Sequence, residues 1–157
     1  MSLSSAPGRS RDCFVSVVGL LVTIVSLAAC SRDDGPPKPS AAALLQRQVV
    51  PADSARYPSP QERKTWSNPY LVIRSNAVGL LTGVTANEEQ ILKPEEVLNA
   101  LARLPASAWP YGRAVAILVD EKPTASEADK IAIRRNRGIV AGELLEAHVA
   151  INWISTP

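Results

Sequence analysis

Seven of the thirteen prolines stand between residues 31 and 69: Pro36, Pro37, Pro39, Pro51, Pro58, Pro60 and Pro69. Proline fixes φ and removes the backbone N–H, so a long helix or a central strand is excluded across such a stretch. In a polyproline II conformation it would serve as a semi-stiff spacer. Residues 30–68 therefore read as a tether, with the folded domain expected over 69–157. One segment interrupts the pattern. Ser40 precedes A-A-A-L-L-Q-R-Q, good helix formers behind a candidate N-cap. Eight residues are too few for an isolated helix to persist in water. Fluctuating turns within the tether are favoured over a docked helix.

From Pro69 onward the character changes. Tyr70–Ile73 is a short β-type run, Ser75 and Asn76 offer a turn, and Ala77–Val84 is a second apolar run interrupted by Gly79 and Gly83. Pro94, followed by Glu95 and Glu96, suits the first turn of a helix whose apolar positions are Val97, Leu98, Leu101 and Leu104; Pro105 ends it. Trp109-Pro110-Tyr111-Gly112 reads as a loop. A-V-A-I-L-V, Ala114 to Val119, is the strongest buried-strand signal in the chain. A long helix is expected from Glu127 to Ala147, capped by Thr124 or Ser126, each with an acid three residues on. On that helix Ala128, Ile131, Ile139, Gly142 and Leu145 are expected to share a face. The last segment alternates, with Val149, Ile151 and Trp153 opposite Ala150, Asn152 and Ile154. The order β-β-α-β-α-β predicts a small α/β domain of the α+β sandwich type, with helices on one face of a three- to four-stranded sheet. Aromatics are only 4% of the chain, so the core must be largely aliphatic.

The N-terminus reads as an export signal. Arg9 and Arg11 precede an uncharged apolar run, Phe14 to Leu27, of signal-peptide length. Leu27-Ala28-Ala29-Cys30 follows at once. These residues resemble the lipobox of bacterial lipoproteins. The resemblance implies that residues 1–29 are removed as a signal peptide and that Cys30 becomes the first residue, thioether-linked to diacylglycerol and open to acylation of its new amine. Cys13 would leave with the signal, so no intramolecular disulfide is expected. Ser31, rather than an aspartate, follows Cys30. By resemblance to common lipoprotein sorting this implies the outer membrane, facing the periplasm, with the periplasmic face of the inner membrane as the alternative.

Little in the sequence points to catalysis. His148, the only histidine, lies at a helix-to-strand junction, and no G-x-S-x-G elbow is present. With no Walker loop and no G-x-G-x-x-G, no cofactor is expected. Two cysteines and one histidine cannot supply the usual four ligands of a structural zinc site, so no metal is expected either. A net charge of +2 gives no reason to expect nucleic acid. Asp120 and Glu121 end the buried strand, where α/β folds place ligands, but adjacent strand-end carboxylates are more commonly just solvated.

The most distinctive pattern is a cationic stripe. Lys130, Arg134 and Arg137 stand at i, i+4 and i+7 on the long helix, and like charges at that spacing cost a few tenths of a kcal/mol. A bound acid would offset that cost, as would nearby carboxylates on a solvated face. The run K-I-A-I-R-R-N-R-G, Lys130 to Gly138, resembles the N-x-x-L-S-x-x-R-A helix of OmpA-like peptidoglycan-binding domains. Arg137 falls at the family's arginine, Ile133 at its leucine and Gly138 at its small residue. That resemblance implies a role for Arg137 with the peptide carboxylates of peptidoglycan. Lys130 and Arg134 replace the family's asparagine and serine, and Lys122 stands where its aspartate would, so no other contact is implied. The order of elements also resembles the periplasmic domains of ExbD and TolR, which are parts of envelope machines. The expected function is a non-enzymatic, membrane-anchored module that binds cell wall or an envelope protein complex. An inhibitor or immunity-type lipoprotein that blocks an envelope enzyme is the alternative, and a small hydrolase using Asp120, Glu121 or His148 the least favoured.

Overall fold

The computed structural model describes residues 38–56, 65–83 and 88–154. Its centre is a five-stranded mixed sheet of β1 (Tyr70–Ile73), β2 (Val78–Leu81), β3 (Gln90–Leu92), β4 (Ala114–Val119) and β5 (Ala150–Ile154). The strand order is β3-β2-β1-β4-β5. β1 and β2 form an antiparallel hairpin, with Ile73 opposite Val78, and the Arg74 N–H donates to the Ala77 carbonyl at 2.9 Å across the Ser75–Asn76 turn. β3 adds antiparallel to β2, while β4 runs parallel to β1 and β5 parallel to β4.

Among the described residues three helices pack on one face of this sheet, an arrangement expected for α2 and α3 but not for α1: α1 (Ala41–Gln48), α2 (Val97–Ala102) and α3 (Glu127–Glu146). The core between the layers is aliphatic. Leu71, Ile73, Val78, Leu80, Leu92, Val115 and Ile117 meet Leu45 of α1, Val97 and Leu101 of α2, and Ile133, Val140 and Leu144 of α3. The alternate residues Tyr70, Val72, Leu81, Ala114 and Ala116 form a second buried cluster with Trp66 on the other face. β4 is buried on both faces at Ala114–Ile117, which is why it reads as an unbroken apolar run.

Three expectations are corrected. The sheet has five strands because Gln90–Leu92 pairs with β2. With Gln90 and Ile91 exposed and only Leu92 buried, this short edge strand carries no apolar run to announce it. Ser40–Gln48 is a docked helix rather than fluctuating turns. The Ser40 hydroxyl accepts from Ala43 N–H at 3.2 Å, and Leu45 is 0% exposed. Tertiary burial supplies what an isolated eight-residue helix lacks. On α3 the buried stripe is Ile133, Asn136, Val140 and Leu144, whereas Ile131 and Leu145 of the expected shared face are 63% and 67% exposed.

Residues assigned by sequence to the tether also join the folded unit. The Arg113 N–H donates to Val50 at 2.9 Å, and Pro51 bridges to Arg113. Asn68, buried, donates to the carbonyls of Gly112 (2.7 Å) and Ala114 (2.8 Å) and accepts from Tyr111 N–H at 2.9 Å. This cross-link fixes the loop before β1 to the loop before β4. Among the described residues no helix is long and apolar enough to cross a membrane. The run 14–27 and Cys30 lie outside the described residues.

Candidate functional site

β1 and β4 run parallel and side by side, so their carboxyl ends open on the same edge, where the N-terminus of α3 also arrives. Arg74 follows β1 and Asp120 follows β4. Their side chains meet at 3.3 Å between Nε and Oδ2. Arg74 also grips Glu89 with both terminal nitrogens, at 2.7 and 3.2 Å. The hydrogen bond with Glu89 is the main cause that raises the Arg74 pKa, against desolvation, with Asp120 adding to it. Buried Asn136 of α3 donates to the carbonyls of Arg74 (2.9 Å) and Ser75 (3.1 Å), which locks the helix to the end of β1.

Of the two candidate caps for α3, the structure uses Ser126. Its hydroxyl accepts from Asp129 N–H at 3.1 Å and lies 2.7 Å from Asp129 Oδ2. Hydrogen bonds from Ser126 and then Ser75 hold the Asp129 carboxyl below its ordinary range. Arg74, Ser75, Asp120, Ser126 and Asp129 line a cleft of about 540 Å³. There Arg74 is paired with Asp120, while serine hydroxyls hold Asp129 at the start of α3; Lys122 lines the cleft as well.

A second cavity, about 600 Å³, lies on the other side of the β4–α3 connection, between α3 and β5. Lys122, Lys130, Arg137, Glu121 and Trp153 line it. Trp153 shares the helix side of the sheet with its register partner Ile117 and is 39% exposed. The Arg137 guanidinium carbon sits 4.3 Å from the centre of the indole, a cation–π contact worth about 0.5–1 kcal/mol at an exposed site. Lys130 pairs with Glu127 one turn back, at 2.7 Å.

The structure thus brings Lys130 and Arg137 into one groove, but not Arg134. Arg134 is exposed, further round α3 on the same flank, and has no ion pair among the described residues. Asp120 and Glu121 point to different cavities, Asp120 into the strand-end cleft and Glu121 into the groove. His148 is at the far end of α3 from both. It takes φ 55° just past the helix, where its N–H donates to Leu145 and that of Val149 to Leu144. These bonds make a Schellman ending, so His148 serves as a junction residue. Among the described residues no group of three His, Cys, Asp or Glu is placed to hold a metal.

Arg74 and Trp153 are the site residues that sequence reasoning missed. A charged residue directly after an apolar strand was a usable signal for Arg74. Nothing local signals that Trp153 lies under Arg137, because that depends on how α3 crosses β5. Compared with protein-family models, curated proteins and solved structures, the chain finds no significant match.

Proposed function

We propose that this chain is a lipoprotein anchored through acylated Cys30 to the periplasmic side of the outer membrane, and that its domain is a non-enzymatic module that binds an acidic ligand of the cell wall or of an envelope protein complex. The observation that carries the binding reading is the groove between α3 and β5. Lys122, Lys130 and Arg137 line it with Glu121; Glu127 already pairs with Lys130, and an aromatic ring holds Arg137 in place. Such a groove suits carboxylate recognition, since a guanidinium already oriented by stacking loses less freedom on binding. The anchor rests on the apolar run and L-A-A-C alone, and the outer-membrane destination on Ser31.

Arg137→Ala tests the groove. A charge-assisted hydrogen bond contributes about 1.5–3 kcal/mol, so binding should weaken roughly ten- to a hundredfold, at about 1.4 kcal/mol per decade. Arg137→Lys should rescue poorly, because an ammonium presents no guanidinium fork. The measurements are co-sedimentation with peptidoglycan sacculi and capture of partners from cross-linked envelopes, with a thermal melt of each variant. Cell-wall binding predicts sacculus pelleting. An inhibitor predicts one tight protein partner and no affinity for sacculi. Unchanged binding with an unchanged melt would end the reading.

A further inference from the structure

We propose that the free edge of β5, together with the cationic flank of α3 beside it, accepts an added strand from an extended acidic segment of another polypeptide. The inference rests on the groove being the contact surface, and goes further by naming the class of ligand and its mode of binding.

β5 is the last strand of the sheet, and among the described residues nothing pairs with its outer edge. The Ala150 N–H donates inward to Arg113 at 2.8 Å. In a parallel ladder the residues alternate, so Ala150, Asn152 and Ile154 face β4, and the backbone groups of Ile151 and Trp153 face outward. An edge with outward N–H and C=O groups is a template for another strand. A glycan has no matching ladder of donors and acceptors, so the edge favours a polypeptide.

The flank above the edge selects its charge. The buried stripe of α3 sets Lys130 and Arg137 on the β5 side, with Arg134 further out on that side. Alternate side chains of an added strand would point to this flank and the others to the opposite face, beside Asn152 and Ile154. The fitting segment therefore carries acids at every second position. A second copy of this chain, paired edge to edge with its helices on the same face, would set one cationic flank against another. The charge thus disfavours a homodimer through this edge.

The test uses the full-length lipidated protein in detergent micelles. The probes are a fluorescent peptide of alternating glutamate and valine, the same peptide N-methylated at every residue, and its lysine counterpart. The parent peptide should bind and the lysine peptide should not. N-methylation keeps the charges but removes every donor, and should weaken binding at least tenfold. Arg137→Ala and the exposed charge reversal Arg134→Glu should each weaken it about tenfold or more, with unchanged melts. The amide resonances of Ile151 and Trp153 should shift on binding. Equal binding of the N-methylated peptide, with Arg137 still required, overturns strand addition and leaves the groove reading standing. Peptide binding indifferent to Arg137→Ala and Arg134→Glu overturns the groove reading as well. No binding of the parent peptide, alongside Arg137-dependent pelleting with sacculi, overturns the inference in favour of a cell-wall ligand. No binding to either overturns both.

Discussion

Gly79 leaves room for a charge. The carboxylate of Glu89 lies where a Cβ on Gly79 would stand, and from there it grips Arg74 in a bidentate pair. The Arg74 and Glu89 side chains are 32% and 26% exposed, so the pair contributes on the order of 1 kcal/mol at most. Gly79→Ala should displace the flexible end of Glu89 and cost about that much. With Glu89→Ala already present, the same change should be neutral or slightly stabilising, since alanine loses less backbone entropy in a strand. Equilibrium unfolding of the four proteins reads the coupling, and strict additivity would refute the account. His148 offers the reverse case, since it sits at a left-handed position that glycine fills at no steric cost. His148→Gly should raise stability by about 0.5–1 kcal/mol, measured by the denaturation midpoint; a loss would show that the imidazole contributes more than its backbone strain costs. Neither effect was legible in the sequence. Glu89 is far from Gly79 in local terms until β3 folds back, and the helix end reads only as a junction.

At the scale of elements, α1 decides where the folded unit begins. Its eight residues owe their helix to Leu45 and Val49, both buried in the core shared with α2. Leu45→Ala removes a fully buried side chain and should cost about 2–5 kcal/mol. Hydrogen exchange should then show the α1 amides losing protection before those of β1 and β4. If α1 were a piece of tether, the substitution would change stability by less than about 0.5 kcal/mol. The N-cap and the helix formers were visible in the sequence, but the packing partner was not. α3 teaches the same lesson. Its length and boundaries were legible in the sequence, but the cap was left between Thr124 and Ser126 until the structure chose Ser126. Its buried face was not, because Ile131, Ile139 and Leu145 compete with Ile133, Val140 and Leu144 for the same role. Asn136 helps settle the choice by bonding to the end of β1, a contact that hydrophobic periodicity cannot express.

At the scale of the whole molecule, the proposed anchor and the binding domain make separable predictions. Cys30→Ala should abolish labelling by a fatty-acid analogue and leave an uncleaved precursor; normal labelling of that variant would refute the anchor. The sequence by itself determined the parts that depend on local pattern. Apolar runs bounded by proline, glycine and charge set four of the five strands and the helices α2 and α3, and their order set the fold class. It also set Trp153 on the same side of the last strand as Val149 and Ile151, and Arg137 in one stripe with Lys130 and Arg134. Tertiary structure decided the rest. It docked α1, which is too short to stand alone, and paired β3, which is too polar to announce itself. It chose which stripe of α3 is buried. It set the parallel pairing of β1 with β4, and through it the meeting of Arg74 with Asp120. It also laid α3 over β5 so that Arg137 covers Trp153 while Arg134 stays outside the groove. Each of these depends on the distance between residues remote in sequence, and local propensity carries no information about that distance.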